Sequence, residues 1–253
     1  MRADKNKIRQ RFARAATTYD RQAVVQREVA ARLLRLLADH QGAPPRRALE
    51  IGCCTGILTA GLTRQYPELI ELYLNDLVPE FQPLAAARVP GRVRLEFLAG
   101  DIETIALPAG LDLVVSSSTL HWLADLPALF ARLHARMNEH ATLCFSVFGP
   151  DNFRELRAIT GIGLDYHSRE ELQRMVAQHF TVLACEEELR GHHCPDPGAL
   201  LRHLRQTGVN ALATAPWSRG QLREFSRQYQ HRFGVPGGVG LTYHPVYCLA
   251  RKE

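Results

Sequence analysis

From residue 47 onward, short apolar runs at 48–51, 70–74, 93–98, 111–116 and 141–148 alternate with stretches of helical periodicity. Few architectures accept that alternation. Each crossover helix must bury its apolar stripe against a face shared with its neighbours, so five such runs in series predict a mostly parallel, doubly wound α/β sheet. Two later runs, 180–187 and 243–250, match in composition and predict an antiparallel pair at the sheet edge. A hairpin between them needs only a few residues, and about 55 intervene. The excess holds two helical segments, 196–208 and 218–232, and a glycine-rich loop at 234–240, and reads as a lid inserted over the ligand edge. Ahead of the sheet, Ile8, Phe12, Ala15, Ala16 and Tyr19 recur at three- and four-residue spacing and predict one amphipathic helix over 5–20. Val25, Val29, Leu33, Leu36 and Leu37 predict a second helix, ended by Gly42 and Pro44-Pro45. The expected organisation is therefore a helical amino-terminal segment 1–42, a core of 43–190 with 241–253, and a helical lid 191–240.

A hydrophobic fraction of 46% over 253 residues fills a full core without any apolar run long enough to cross a bilayer. With a basic, polar amino terminus that lacks a secretory apolar segment, this predicts a cytoplasmic protein without a membrane span. The six cysteines are scattered and read as reduced, mostly buried residues; neither the neighbours Cys53 and Cys54 nor the run His192-His193-Cys194 has the spacing of a metal site. Charge is placed unevenly. The first 21 residues hold Arg2, Lys5, Lys7, Arg9, Arg11, Arg14 and Arg21 against Asp4 and Asp20, which accounts for the whole formal charge of +5. Such an arm suits an acidic partner, whether nucleic acid, a membrane surface or an acidic protein.

Ligands of open parallel sheets bind beyond the carboxyl ends of the strands. The first strand ends in Glu50-Ile51-Gly52-Cys53-Cys54-Thr55-Gly56, a tight turn opening a helix. The second ends in Asn75-Asp76-Leu77, 24 residues past Gly52, where a carboxylate can accept both hydroxyls of a ribose. The third runs into Gly100-Asp101-Ile102, a polar group beside an apolar one, suited to an adenine amino group and ring face. The fourth closes in Ser116-Ser117-Ser118, small residues that leave room. Glu50 separates two cofactor classes: a carboxylate there repels a pyrophosphate and suits a ligand bearing an amine or sulfonium. S-adenosylmethionine therefore fits better than a nicotinamide dinucleotide. Cys54 stands where a glycine is expected. If its φ is positive, a cysteine costs on the order of 1 kcal/mol and narrows the approach of the methionine moiety.

Glu-x-Gly-x-x-x-Gly, the ribose Asp76 and the later "GDIE" resemble class I S-adenosylmethionine-dependent methyltransferases. That resemblance implies a seven-stranded Rossmann-like sheet with an antiparallel last strand and a cofactor wall of Gln26, Glu50, Gly52, Cys53, Cys54, Gly56, Asp76, Leu77, Asp101, Ile102, Ser116 and Ser117. The segments "IRQRFARAATTYDRQAVVQREVAARLL", "SSSTLHWLADL", "FGPDNFRELRAITGIG" and "LTYHPVY" narrow it further. Together they resemble the malonyl-acyl-carrier-protein O-methyltransferases of biotin biosynthesis, over residues 8–250. The resemblance implies methylation of the free carboxylate of a malonyl thioester, with S-adenosylhomocysteine as the second product, by a monomer whose basic arm meets acyl carrier protein and neither nucleic acid nor a membrane. A carboxylate is already ionised at neutral pH, so no general base is needed and the protein must chiefly position it. Candidates for that task are Tyr19, His121, Trp122, Arg157, Tyr243 and His244, with Arg157 favoured because a guanidinium stays charged and offers parallel donors. Three alternatives stay open at this stage: a trans-aconitate type methyltransferase of a small carboxylic acid, an RNA or protein methyltransferase, and a binding protein inactivated by Cys54.

Overall fold

A computed structural model describes residues 4–40, 42–208 and 217–253. All seven expected core strands are present: β1 (Arg47–Ile51), β2 (Glu71–Asp76), β3 (Arg94–Ala99), β4 (Leu111–Ser117), β5 (Met137–Phe148), β6 (Thr181–Glu187) and, last in the chain, β10 (Pro245–Arg251). They form one sheet in the order β3-β2-β1-β4-β5-β10-β6. β1 to β5 pair in parallel, and β10 runs antiparallel to both β5 and β6. The order reverses at β1 and β4, which opens a crevice beyond their carboxyl ends.

Strand alternation divides the core into two layers. In β1, Ala48 faces the side covered by α3 (Val24–Asp39) and α4 (Ile57–Gln65), whereas Leu49 and Ile51 face α6 (Leu126–His134) and α8 (Arg169–Val176). The short α5 (Gln82–Ala86) follows β2, and α7 (Arg154–Thr160) follows β5.

Two expectations need correction. The single helix over 5–20 is two, α1 (Lys5–Ala15) and α2 (Tyr19–Gln22). At the break the Thr18 hydroxyl bonds the carbonyls of Ala15 and Gln206, both at 3.1 Å, so a side chain competes with the helical ladder while tying the break to a distant helix. The insertion, in turn, is only partly helical. Besides α9 (Pro197–Gln206) and α10 (Arg219–Phe233) it contains β7 (Arg190–Cys194), β8 (Gly234–Val235) and β9 (Gly238–Tyr243), ordered β7-β9-β8 in a second, antiparallel sheet. The glycine-rich loop is thus a hairpin, turned at Pro236 and Gly237 with Gly237 at φ 81. His192, His193 and Cys194 lie along β7, paired to β9, with successive side chains on opposite faces.

Candidate active site

Beyond β1 the chain turns through two residues of positive φ, Gly52 (72°) and Cys54 (48°), before Gly56 (84°) opens α4. A side chain at Gly52 would strike Thr119, so only glycine lets the β1 and β4 ends approach this closely. Cys54 therefore occupies the left-handed conformation that favours glycine, and it is held there from two sides. Its N–H donates to Asp76 Oδ2 at 2.8 Å, and its thiol meets the hydroxyl of buried Tyr19. The same turn is pinned from α2, where Asp20 accepts from the Thr55 hydroxyl at 2.5 Å and from Arg88 at 2.9 Å.

Asp76 is buried at the end of β2, its second oxygen accepting from Val78 N–H at 2.9 Å. Burial outweighs these bonds and pushes its carboxyl up to about 6. Asn75 donates to the carbonyls of Leu98 and Gly100, fixing the β3 end where Asp101 and Ile102 emerge. These residues, with Gln26, Leu77, Ser117 and the aromatic rings of Phe12, Tyr19 and Trp122, wall a cavity of about 100 Å³. That is below the ~300 Å³ of ordinary small-molecule sites. The cause is α1: Lys5 reaches down to both Asp101 and Glu103 and draws the helix over the crevice. Glu103 also caps the next turn, accepting from the N–H groups of Ala124 and Asp125.

Four of the expected cofactor residues stand off this wall. Glu50 is fully buried and accepts from the Thr59 hydroxyl on α4 at 2.7 Å. Burial pushes its carboxyl up to about 8, which favours the protonated form in this ligand-free arrangement. Cys53 packs in the core under the turn, and the Ser116 hydroxyl donates to Ile51 O at 2.9 Å. Gly56 faces Arg88 and Ala85, shaping the helix entrance. Gln26, in contrast, fits a ligand role: it is buried, it lines the cavity, and neither amide atom has a hydrogen-bond partner among the described residues.

A second cavity of about 570 Å³ opens beyond the first, and His121, Trp122 and Phe148 line both. The His121 ring lies 5.1 Å from Trp122, 5.2 Å from Phe148 and 6.0 Å from Tyr166, in an aromatic collar. Burial pushes its imidazole down to about 3, so it is neutral, and its Nδ1 lacks a partner among the described residues. The wall of the larger cavity is mainly apolar, contributed by α7, α9 and the start of α10. Arg157 lies in it half-buried, donating to Pro150 O at 2.5 Å. Its helix is fastened to the insertion, because buried Glu155 accepts from both the N–H and the hydroxyl of Thr242 on β9.

Of the six expected substrate residues, His121, Trp122 and Arg157 meet in this cavity. Tyr19 lies on the cofactor side. Tyr243 and His244 line neither cavity. Tyr243 ends β9 instead of starting the last strand, and its buried hydroxyl is 2.7 Å from His203 Nε2. His244 accepts from Asp151 N–H at Nδ1 and faces Glu187 at Nε2, locked in the joint between the two sheets. Asn152, Tyr166, Arg202, Arg205 and Trp217 complete the wall and were not singled out from sequence; Asn152 lay within a quoted motif, whereas α9 gave no chemical signal.

A family model described as a methyltransferase domain matches residues 49–145. A malonyl-acyl-carrier-protein O-methyltransferase of Bacteroides thetaiotaomicron is 39% identical, covering 99% of each chain. The chain belongs to that family. The family member from Prosthecochloris aestuarii is 37% identical over 98% of this chain and 94% of its own. Among solved structures, the N-methyltransferase NodS of Bradyrhizobium japonicum, complexed with S-adenosylhomocysteine, superposes with a TM-score of 0.54 at 16% identity, covering 89% of this chain and 86% of its own. That likeness supports the fold.

Proposed function

We propose that this family member transfers a methyl group from S-adenosylmethionine to the free carboxylate of a malonyl thioester carried on acyl carrier protein, the step that starts a pimeloyl chain for biotin. The observation that carries the reading is the collar of His121, Trp122 and Phe148, where a cavity built on the glycine turn meets an apolar cavity containing Arg157. The residues on the cofactor side fit the ligand. Asp76 accepts the ribose hydroxyls, Asp101 and Ile102 take the adenine, and Gln26 supplies its unpartnered amide to the methionine end. When bound, the cofactor supplies an electrophilic methyl group.

The chain's own residues then have a positioning task. Arg157 holds one carboxylate oxygen through a charge-assisted bond, and the neutral His121 ring orients the acceptor at the collar. The aromatic collar keeps water from the reacting oxygen. No proton has to be removed, which agrees with a collar that contains no ionised base. Entry of the cofactor requires α1 to lift, because Lys5 closes the crevice in the present arrangement. Lys5 is therefore an internal tether, and the arm that steers an acidic carrier protein is formed by the exposed Arg9, Arg14 and Arg21. β7, α9, α10, β8 and β9 act as the lid over the acceptor. Among the described residues no helix is long and apolar enough to cross a membrane, and we place the enzyme in the cytoplasm as a monomer.

Mass spectrometry of malonyl-carrier protein incubated with S-adenosylmethionine tests the reading. The expected result is a mass gain of one methylene on the malonyl group; methylation of free small acids with none on the carrier-bound malonyl group would favour the small-molecule alternative.

A further inference from the structure

We infer that Arg202 and Arg205 form a phosphate site at the mouth of the larger cavity, which receives the phosphodiester of a phosphopantetheine arm while the thioester lies inside; this rests on the malonyl-carrier reading. The cavity has a polarity along its length. At its inner end stand buried Phe148 and half-buried His121, Trp122 and Arg157, and at its outer end Arg202, Arg205 and Leu222 are exposed. Helix α9 explains the arrangement. Gly198, Leu201, Leu204 and Arg205 share one helical face and line the cavity, while Leu200 and His203 point into the core, His203 against Tyr243. Arg202 and Arg205 are three residues apart, so their Cβ atoms lie about 5–6 Å from each other, near enough for both forks to reach one phosphate.

They differ from the arginines already held in ion pairs. Arg32, Arg88, Arg169, Arg190 and Arg227 each pair with a carboxylate. Among the described residues neither Arg202 nor Arg205 has one, and the nearby Asp196 is engaged as the α9 cap, accepting from Ala199 N–H. Two cations without carboxylate partners beside an apolar channel suit a ligand with an anionic group at each end and a flexible stem between. A malonyl thioester on phosphopantetheine has that form: a carboxylate for Arg157, a largely uncharged stem for the channel, and a phosphodiester where the arm joins its carrier.

The test compares methylation of malonyl-phosphopantetheine with that of malonyl-pantetheine, neither attached to protein, so direct contacts between the arginines and a carrier's acidic side chains play no part. For the unaltered enzyme, kcat/KM is expected to be at least about tenfold higher with the phosphate present. In Arg202→Gln/Arg205→Gln that ratio falls toward 1, and in Arg202→Lys/Arg205→Lys, which keeps the charge, it stays above 1. A ratio near 1 in the unaltered enzyme with clear turnover of both substrates overturns the phosphate site alone, as does a ratio the glutamine variant retains. Absence of methyl ester from both substrates overturns the malonyl reading and this one together.

Discussion

Replacing Asp76 by asparagine should separate cofactor binding from folding. In the ligand-free protein the carboxylate is buried, accepts from Cys54 and Val78 N–H groups, and titrates near 6 instead of its ordinary 3.8. Holding it ionised at neutral pH therefore costs the folded state about 3 kcal/mol. Asparagine removes that cost. Its amide oxygen can accept one of the two backbone N–H groups, and the other is left facing an NH₂, a loss of about 1–3 kcal/mol. The two terms offset, so stability in denaturant at pH 7.5 should change by no more than about 2 kcal/mol. Binding has no such compensation. A ribose diol gives up two hydrogen bonds to a charged acceptor, each worth about 1.5–3 kcal/mol, so affinity for S-adenosylhomocysteine by titration calorimetry should fall at least about a hundredfold. An affinity within about fivefold of the original, in a variant that folds normally, would refute the assignment of Asp76 to the ribose. A stability loss well above 3 kcal/mol would refute the bookkeeping.

Other outcomes follow from the same geometry. Affinity for S-adenosylhomocysteine should weaken as pH falls through about 6, because Asp76 gains its proton there; a flat profile between pH 5 and 8 would count against it. For the ligand-free protein the sign is the reverse: both raised carboxyls favour the protonated folded state, so their contribution to stability is present at low pH and is lost as pH rises through about 6 for Asp76 and about 8 for Glu50. Glu50→Gln keeps an oxygen for Thr59 and should leave cofactor affinity within about twofold, whereas a large loss would return Glu50 to the ligand wall. Cys54→Gly relieves about 1 kcal/mol of left-handed strain and adds a similar unfolded-chain entropy, so its stability should shift by under about 1 kcal/mol; Cys54→Val, β-branched at positive φ, should unfold at clearly lower denaturant. Reversing Arg9 and Arg14 to Glu should lower kcat/KM on malonyl-carrier protein several-fold at low salt while sparing malonyl-CoA, and equal losses on both would exclude carrier steering.

The five inner strands were legible because each is a compact apolar run, as burial on both faces demands, and the edge strands β3 and β6 showed through their alternation of exposed and half-buried residues. The small sheet was hidden for the opposite reason. β7 reads Arg-Gly-His-His-Cys and β9 is glycine-rich, so neither displays alternation, and their pairing is supplied by tertiary context. The place of Cys54 between two turn glycines posed the question of its φ without answering it, and the backbone gives 48°. Which way Glu50 points did not, since that depends on a hydroxyl nine residues later on the next helix. Tyr243 and His244 looked alike as polar residues before a strand; their contacts with His203 and Glu187, set by distant elements, were not readable from that position. Arg202 and Arg205 carried no signal at all, because exposed arginines on an amphipathic helix are ordinary until a cavity is seen beside them.

The segment from β7 through β9 leaves the main sheet after β6 and returns at β10, and those two strands are direct neighbours, with Glu188 N–H donating to Pro245 O at 3.1 Å where the stems meet. The departure and return points are thus a closed joint, and the cofactor turn lies on other strands, β1 and β2. Heritable change in acceptor preference can therefore accumulate in one contiguous stretch, by substitution or by gain and loss of length, while the machinery that holds the methyl donor is inherited intact. An engineer exchanging this cassette between relatives would cut at the same two residues.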